Sequence, residues 1–215
     1  MAGPYAAKQV LDKKLWQENR AKIAAAALPL FVQHGYHATP VRAIAEATGL
    51  SVGSIFNYFP EKDDILREIL DSSQAEVERA VAEAQGQLAA ADARADPVGL
   101  FMRVYQQFVE FTARIHRFTL LAYQETKSLR PEKRVPLLER DRRIAELLKS
   151  AARPAIKAGV FSDEALDLKV QCLMVLGHMW ALRRWALRQY ATVADYFTDL
   201  EKIVFGIMAR GPKGD

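Results

Sequence analysis

Residues 39–62 read TPVRAIAEATGLSVGSIFNYFPEK. Two short helical segments, Val41 to Ala47 and Ser51 to Phe59, flank Thr48-Gly49-Leu50. Thr39 reads as an N-cap and Pro40 as a first-turn proline. Gly49 makes the turn and Ser51 caps the second segment. Pro60 ends it, because the residue before a proline disfavours helical geometry. Helices of about eight residues are not stable alone. They need a shared core, and Val41, Ile44, Ala45, Leu50, Ile55 and Phe59 supply one. Ala45 is small, so the two helices can cross closely. This is the helix-turn-helix pattern, whose second helix enters the major groove of DNA.

The neighbouring sequence is helical as well. Upstream, Leu15 to His34 carries Ile23, Ala27, Leu30 and Phe31 at helical spacing, and Gly35 gives a left-handed stop. Downstream, a fourth helix is expected from Glu61 to about Gln85, with Asp63 and Asp64 in its first turn, where the helix dipole favours acids. Five more are expected near 97–114, 116–128, 131–157, 163–190 and 193–209. Strong helix formers fill these spans, and no run of β-branched residues alternates beside a hairpin dipeptide. The fold class is all-α, with about nine helices. An N-terminal three-helix DNA-binding domain over 1–62 precedes a helical domain over 63–215.

The chain has 215 residues, of which 50% are apolar and 26% charged, an ordinary globular composition. No apolar run approaches the roughly 20 residues that cross a bilayer, and the start lacks a signal-type apolar stretch. A cytoplasmic protein with no membrane partner is expected. The one cysteine, Cys172, excludes an internal disulfide framework and a Cys-rich zinc site. As a small apolar side chain it is expected to be buried. The four histidines show no metal-ligand spacing, and neither a nucleophile elbow nor a phosphate-binding glycine loop is present. No cofactor, no metal and no enzymatic activity are expected.

Charge is unevenly distributed. Residues 1–62 hold 7 basic and 4 acidic side chains, 63–110 hold 4 and 10, and 114–157 hold 12 and 5. A polyanion would meet the first or third of these segments, not the second. Lys8, Lys13 and Lys14 put a basic tail ahead of the helix-turn-helix, either a disordered leader or an arm along the phosphates.

The stretch RAKIAAAALPLFVQHGYHATPVRAIAEATGLSVGSIFNYFPEKDDIL, residues 20–66, resembles the DNA-binding domain of the TetR family of bacterial regulators. The resemblance rests on Ala27 and Phe31, Gly35-Tyr36 before Thr39, and Ile44-Ala45. Gly49-Leu50-Ser51, Gly53 and Phe56-x-Tyr58-Phe59-x-x-Lys62 complete it. It implies that Thr39 and Arg42 hold phosphate, and that Lys62 binds backbone phosphate. It also implies that Ser51, Val52, Gly53, Ser54, Phe56, Asn57 and Tyr58 face the groove. Two positions depart from the family pattern. Val52 stands where a polar or basic residue is frequent, and Phe56 where tyrosine is usual. The helix 51–59 therefore carries no charge. Val52 either meets a thymine methyl group or turns inward, since 52, 55, 56 and 59 share a stripe.

The resemblance also implies a palindromic operator bound by a homodimer, with the last two helices as its interface. Leu173, Leu176, Met179, Phe197, Leu200, Val204 and Phe205 are the candidates, serving either an internal core or that interface. It further implies a pocket for a hydrophobic small-molecule effector among the middle helices. Phe101, Tyr105, Phe108, Phe111, Phe118, Tyr123, Met174, His178 and Trp180 are its candidates, though a stripe of aromatics also suits a core. YQETKSL (123–129) and WALRRWAL (180–187) are similar to a subset of the family that senses lipid-like molecules or their coenzyme A thioesters. Arg114, Arg117, Lys127, Arg130, Arg134, Arg142 and Arg143 would suit a phosphorylated headgroup. Alternatively, Glu125, Glu139 and Asp141 pair with these bases on a wet surface. The expected function is a ligand-responsive repressor. The competing readings are a helical lipid carrier without DNA activity and a membrane-surface protein.

Overall fold

The computed structural model describes residues 4–72, 74–90, 94–129 and 131–209, with the side chains of 4–12, 74, 75, 132 and 133 left aside. The helices are α1 (Pro4–His34), α2 (Val41–Thr48), α3 (Val52–Tyr58), α4 (Lys62–Ser72), α5 (Gln74–Ala90) and α6 (Pro97–Arg114). They continue with α7 (His116–Glu125), a 3-10 turn (Thr126–Ser128), α8 (Pro131–Lys157), α9 (Leu166–Leu182) and α10 (Val193–Met208). Among the described residues there is no strand, only an isolated bridge between Phe161 and Ala209.

The chain divides into two compact units, residues 1–73 with 120–134, and residues 74–119 with 135–215. The first unit extends past the expected boundary at 62 because α4 packs on α1. Ile65, Leu66, Ile69 and Leu70 of α4 are all buried. It also takes in the C-terminal part of α7, so both division points in the middle of the chain fall inside helices, α7 and α8.

In the first unit, Ile23, Ala27 and Phe31 of α1 form the floor on which α2 and α3 sit. Ile44, Ile55 and Phe59 are fully buried there. Gly35 and Gly49 adopt positive φ of 84° and 70°, the left-handed turns expected of them. Thr39 is not the cap of α2. Pro40 holds that position, and the Thr39 hydroxyl instead donates to the carbonyls of Gly35 at 2.8 Å and Leu30 at 3.2 Å. The helix expected over 61–85 is described as α4 and α5, with residue 73 between them outside the described residues.

In the second unit, α6 packs on α9, and α10 packs on both. Asp96 caps α6 through the Gly99 amide, and Thr192 with Asp195 forms a reciprocal capping box on α10. The core is aromatic. Phe101 meets Tyr105 and Phe161, and Tyr105 meets Phe108 and Phe197. The Tyr105 hydroxyl donates to the Leu173 carbonyl at 2.8 Å, and the Thr112 hydroxyl to the Gly177 carbonyl at 3.0 Å. Each buried hydroxyl is thus satisfied. The segment 183–190, expected to continue a helix from 163, is outside α9, which ends at Leu182. Cys172, expected inside, is exposed. Its neighbours Val170 and Leu173 are fully buried.

Candidate DNA-reading surface and effector cavity

The turn between α1 and α2 is held by a polar knot. Lys62, at the start of α4, donates to the carbonyls of Tyr36 at 2.9 Å, Thr39 at 3.1 Å and His37 at 3.3 Å. Its ammonium also lies 4.5 Å from the centre of the Tyr36 ring. The Tyr36 hydroxyl donates to Asp63. Burial, reinforced by the Asp63 carboxylate, pushes the Tyr36 phenol well above its ordinary range. From α7, the buried Glu125 accepts the Tyr36 amide at 3.1 Å and the Ser128 hydroxyl at 2.8 Å. Glu125 is thus engaged by an amide and a hydroxyl within the knot. Its role was not legible in YQETKSL, since nothing local shows that a carboxylate there meets an amide 89 positions away.

This knot presents α3. Ser51 accepts the Ser54 amide at 3.0 Å and so caps it. With Ile55 and Phe59 buried, Ser51, Val52, Gly53, Phe56 and Asn57 are exposed, while Ser54 is half-buried. Both departures from the family pattern turn outward, Val52 at 38% and Phe56 at 44% exposure. Tyr58 is half-buried and faces α1. Its ring lies 4.6 Å from Trp16, and its hydroxyl accepts from Asn19 at 2.9 Å. Of the expected phosphate binders, the Thr39 hydroxyl is internal and the Lys62 ammonium is engaged by three carbonyls. Arg42 is exposed and pairs with Glu46 at 3.0 Å, a surface pair that a stronger anion can replace.

Two residues of the expected pocket set line a described cavity. Phe108 and Phe111 do so, together with Val77, Ala80, Val81 and Ala84 of α5, Val104 and Gln107 of α6, and Ile144 and Leu147 of α8. The cavity is small, about 40 Å³. The α5 wall is made of alanines and valines at helical spacing, a signal hidden in an alanine-rich stretch. Phe101, Tyr105, Met174 and Trp180 are buried in the core, Phe118 is half-buried, and Tyr123 is 51% exposed. A neighbouring groove of about 190 Å³ shares Val77 and Val81 and adds Glu78, Gln85, Arg140 and Arg143. Of the expected headgroup bases, Arg142 pairs with Glu139 at 2.7 Å and Arg143 lies 3.8 Å from Glu78. Arg134 donates to the Leu129 carbonyl at 2.6 Å and the Lys127 carbonyl at 2.8 Å, and Arg130 lies outside the described residues.

His178 packs on Phe108, with ring centres 5.4 Å apart. Burial and the nearby positive charge of Arg140 bring its pKa down from 6.5 to about 4. The neutral ring is the folded form, so stability is complete above the unfolded pKa and falls as pH drops from 6.5 towards 4. We expect His178→Gln to flatten the fall in melting temperature across that interval, against a wild-type loss on the order of 3 kcal/mol.

Residues 23–69 match the family model of bacterial regulatory proteins, tetR family. Residues 94–187 match the tetracyclin repressor-like C-terminal domain. This chain belongs to the TetR family of transcriptional regulators. The regulator HbdR of Aromatoleum sp. strain CIB is 29% identical over 191 residues, covering 87% of this chain and 79% of that protein. The solved TetR family regulator PfmR of Thermus thermophilus superposes with a TM-score of 0.68 at 26% identity, over 89% of this chain and 99% of that one. AibR, solved in complex with isovaleryl coenzyme A and operator DNA, superposes with a TM-score of 0.70 at 14% identity, over 86% and 97%. The dissection into a helix-turn-helix head and a helical body is thus a family trait.

The expected interface residues divide. Leu173, Phe197, Leu200 and Val204 are buried within this chain's own core, Leu176 and Met179 are half-buried, and Phe205 is exposed at 42%. A different apolar set is exposed on the same two helices, with Leu168, Cys172 and Val175 on α9 and Ile203 and Gly206 on α10.

Proposed function

We propose that this TetR family regulator is a repressor that binds a palindromic operator as a homodimer and is released by an amphipathic small molecule. The observation that carries DNA reading is the exposed, uncharged edge of α3, with Ser51, Val52, Gly53 and Asn57 projecting from a helix anchored by Ile55 and Phe59. Asn57 is the direct reader, because a carboxamide pairs bidentately with adenine. Selection of preferred sequences from random duplex DNA tests this. It should enrich an inverted repeat, whereas flat enrichment would overturn the reading. Asn57→Ala should fold normally and lose about 1–3 kcal/mol of discrimination at one position per half-site, seen as a relaxed consensus in the same selection.

Two copies are required to read an inverted repeat. Leu168, Cys172 and Val175 fall at i, i+4 and i+7 of α9, and Ile203 and Gly206 at i and i+3 of α10. Such a stripe supports association through the two helices' outer faces.

The effector reading is supported by the apolar cavity and the adjoining groove that carries Arg140 and Arg143. An acyl chain would enter the first and an anionic headgroup the second. The cavity is below the roughly 300–1,000 Å³ of typical ligand sites, so binding must move the α5 wall, and with it the chain that follows α4. AibR, with its coenzyme A ester, supplies a precedent for the chemistry. A panel of acyl-CoA esters should release the operator complex at some chain length, with free coenzyme A inert. Complete indifference to the panel would overturn the acyl-CoA assignment.

A further inference from the structure

Affinity for DNA comes largely from cations on phosphates, yet the helix-turn-helix is electrically neutral. Residues 23–62 contain two basic side chains, Arg42 and Lys62, and two acidic ones, Glu46 and Glu61. Arg42 can meet phosphate by giving up its exposed pair with Glu46, whereas Lys62 is engaged by three carbonyls, so the reading head offers at most one cation of its own. The whole positive excess of the head lies ahead of it. Residues 1–22 hold five basic side chains against two acidic ones.

From Pro4 onward that stretch is helical. α1 begins at Pro4, although its first buried side chain among those described is Ile23. The 19 residues from Pro4 to Lys22 therefore extend α1 by about 28 Å, at about 1.5 Å per residue. Trp16, Arg20, Ile23, Ala27 and Phe31 share one face of the helix. The last three lie on the core, and the first two continue that face onto the end of α3. Trp16 packs on Tyr58 at a tilt, Arg20 donates to the Tyr58 carbonyl at 2.6 Å, and Asn19 donates to its hydroxyl. One turn further out on the same face stands Lys13, exposed, beside Lys14, whose contact with Glu18 is a long surface pair of 3.8 Å. Trp16 keeps 44% of its surface and Leu15 56%.

We propose that the ionic grip on DNA resides in this N-terminal extension of α1. Lys13 and Lys14 contact phosphates of the strand bordering the groove that α3 enters, and Trp16 sets their position by packing on Tyr58. The inference rests on the DNA-reading assignment above. The extension is continuous with the reading edge through Tyr58, and it bears the charge the edge lacks. Selectivity and grip are then carried by different helices.

Binding of the full-length protein to its selected duplex, titrated with salt, tests this. Each lost phosphate contact lowers the slope of log K against log salt by about 0.9. Lys13→Ala/Lys14→Ala should reduce the slope by about two per protomer and weaken binding at least tenfold near 0.1 M salt, with the ratio of selected to scrambled duplex unchanged. Both lysines are exposed, so folding is not at stake. Trp16→Ala should weaken binding and Trp16→Phe should restore it, since a ring on Tyr58 suffices. A slope unchanged in the double variant, while wild type still prefers its selected duplex, overturns this proposal and leaves the DNA reading intact. Failure of wild type to prefer any duplex overturns the DNA reading itself. If Trp16→Ala dissociates a dimer while the double variant keeps its slope, the face belongs to a second copy and the proposal falls.

Discussion

Gly177→Ala is expected to destabilise the second unit by about 1–3 kcal/mol, the cost of overpacking a filled core. A Cβ at Gly177 would stand 2.4 Å from Cε1 and 2.9 Å from Cδ1 of Phe108. Phe108 is buried and flanked by Tyr105 and His178, and the cavity it lines, about 40 Å³, is too small to take up a displaced ring. Moving α9 away would stretch the Thr112 hydroxyl bond to the Gly177 carbonyl. Alanine is the better helix former by about 1 kcal/mol, so a net loss isolates the steric term. Urea denaturation should report a lowered midpoint. Gly177→Ala combined with Phe108→Leu should recover part of the loss, since the shorter side chain yields the space. Phe108 also lines the cavity. The same substitution should therefore alter effector response, which connects α6–α9 packing to ligand chemistry.

Lys62→Met is expected to cost about 2–3 kcal/mol of stability while leaving the salt slope of DNA binding unchanged. The methionine keeps the aliphatic stem but gives up charge-assisted bonds to the carbonyls of Tyr36, His37 and Thr39. Those carbonyls converge at the end of α1, and nothing else on Lys62 replaces the donor. The loosened turn should also weaken the hold of Glu125 on the Tyr36 amide. Circular dichroism melts and anisotropy titrations at several salt concentrations measure the two effects separately. A slope reduced by about 0.9 with unchanged stability would show instead that the ammonium leaves the carbonyls for phosphate.

The fold was legible wherever local chemistry decides it. Gly35, Gly49, Ser51 and Pro60 each act within a few residues, and the structure places turns, cap and helix end where those residue types require them. Thr39 illustrates the limit. Its position before Pro40 fits a cap, but its hydroxyl is drawn inward by the carbonyls of Leu30 and Gly35, partners that exist only once α1 lies alongside. The contacts of Lys62 were not legible for the same reason, since the carbonyls that hold it lie 23 to 26 positions earlier. The aromatic residues at 101–111 were found, but periodicity cannot separate a core face from a cavity wall. Phe101 and Phe108 differ in what stands opposite, the bulky Phe161 in one case and the small α5 residues in the other. The exposed face of α9 was obscured for a related reason. That helix is apolar on nearly all sides, so pattern alone could not tell Leu173, which is internal, from Val175, which is not.

The α3 edge from Ser51 to Asn57 contains hydroxyls, a carboxamide and hydrocarbon, but no carboxylate, amine or imidazole. Its donors and acceptors therefore keep one pattern whatever the acidity of the surroundings. On the reading proposed above, a change of electrolyte concentration would alter how tightly the regulator holds a promoter, without altering which promoter it chooses. A new target could then be specified by exchanging a handful of neutral side chains, with the remainder of the molecule left as it stands.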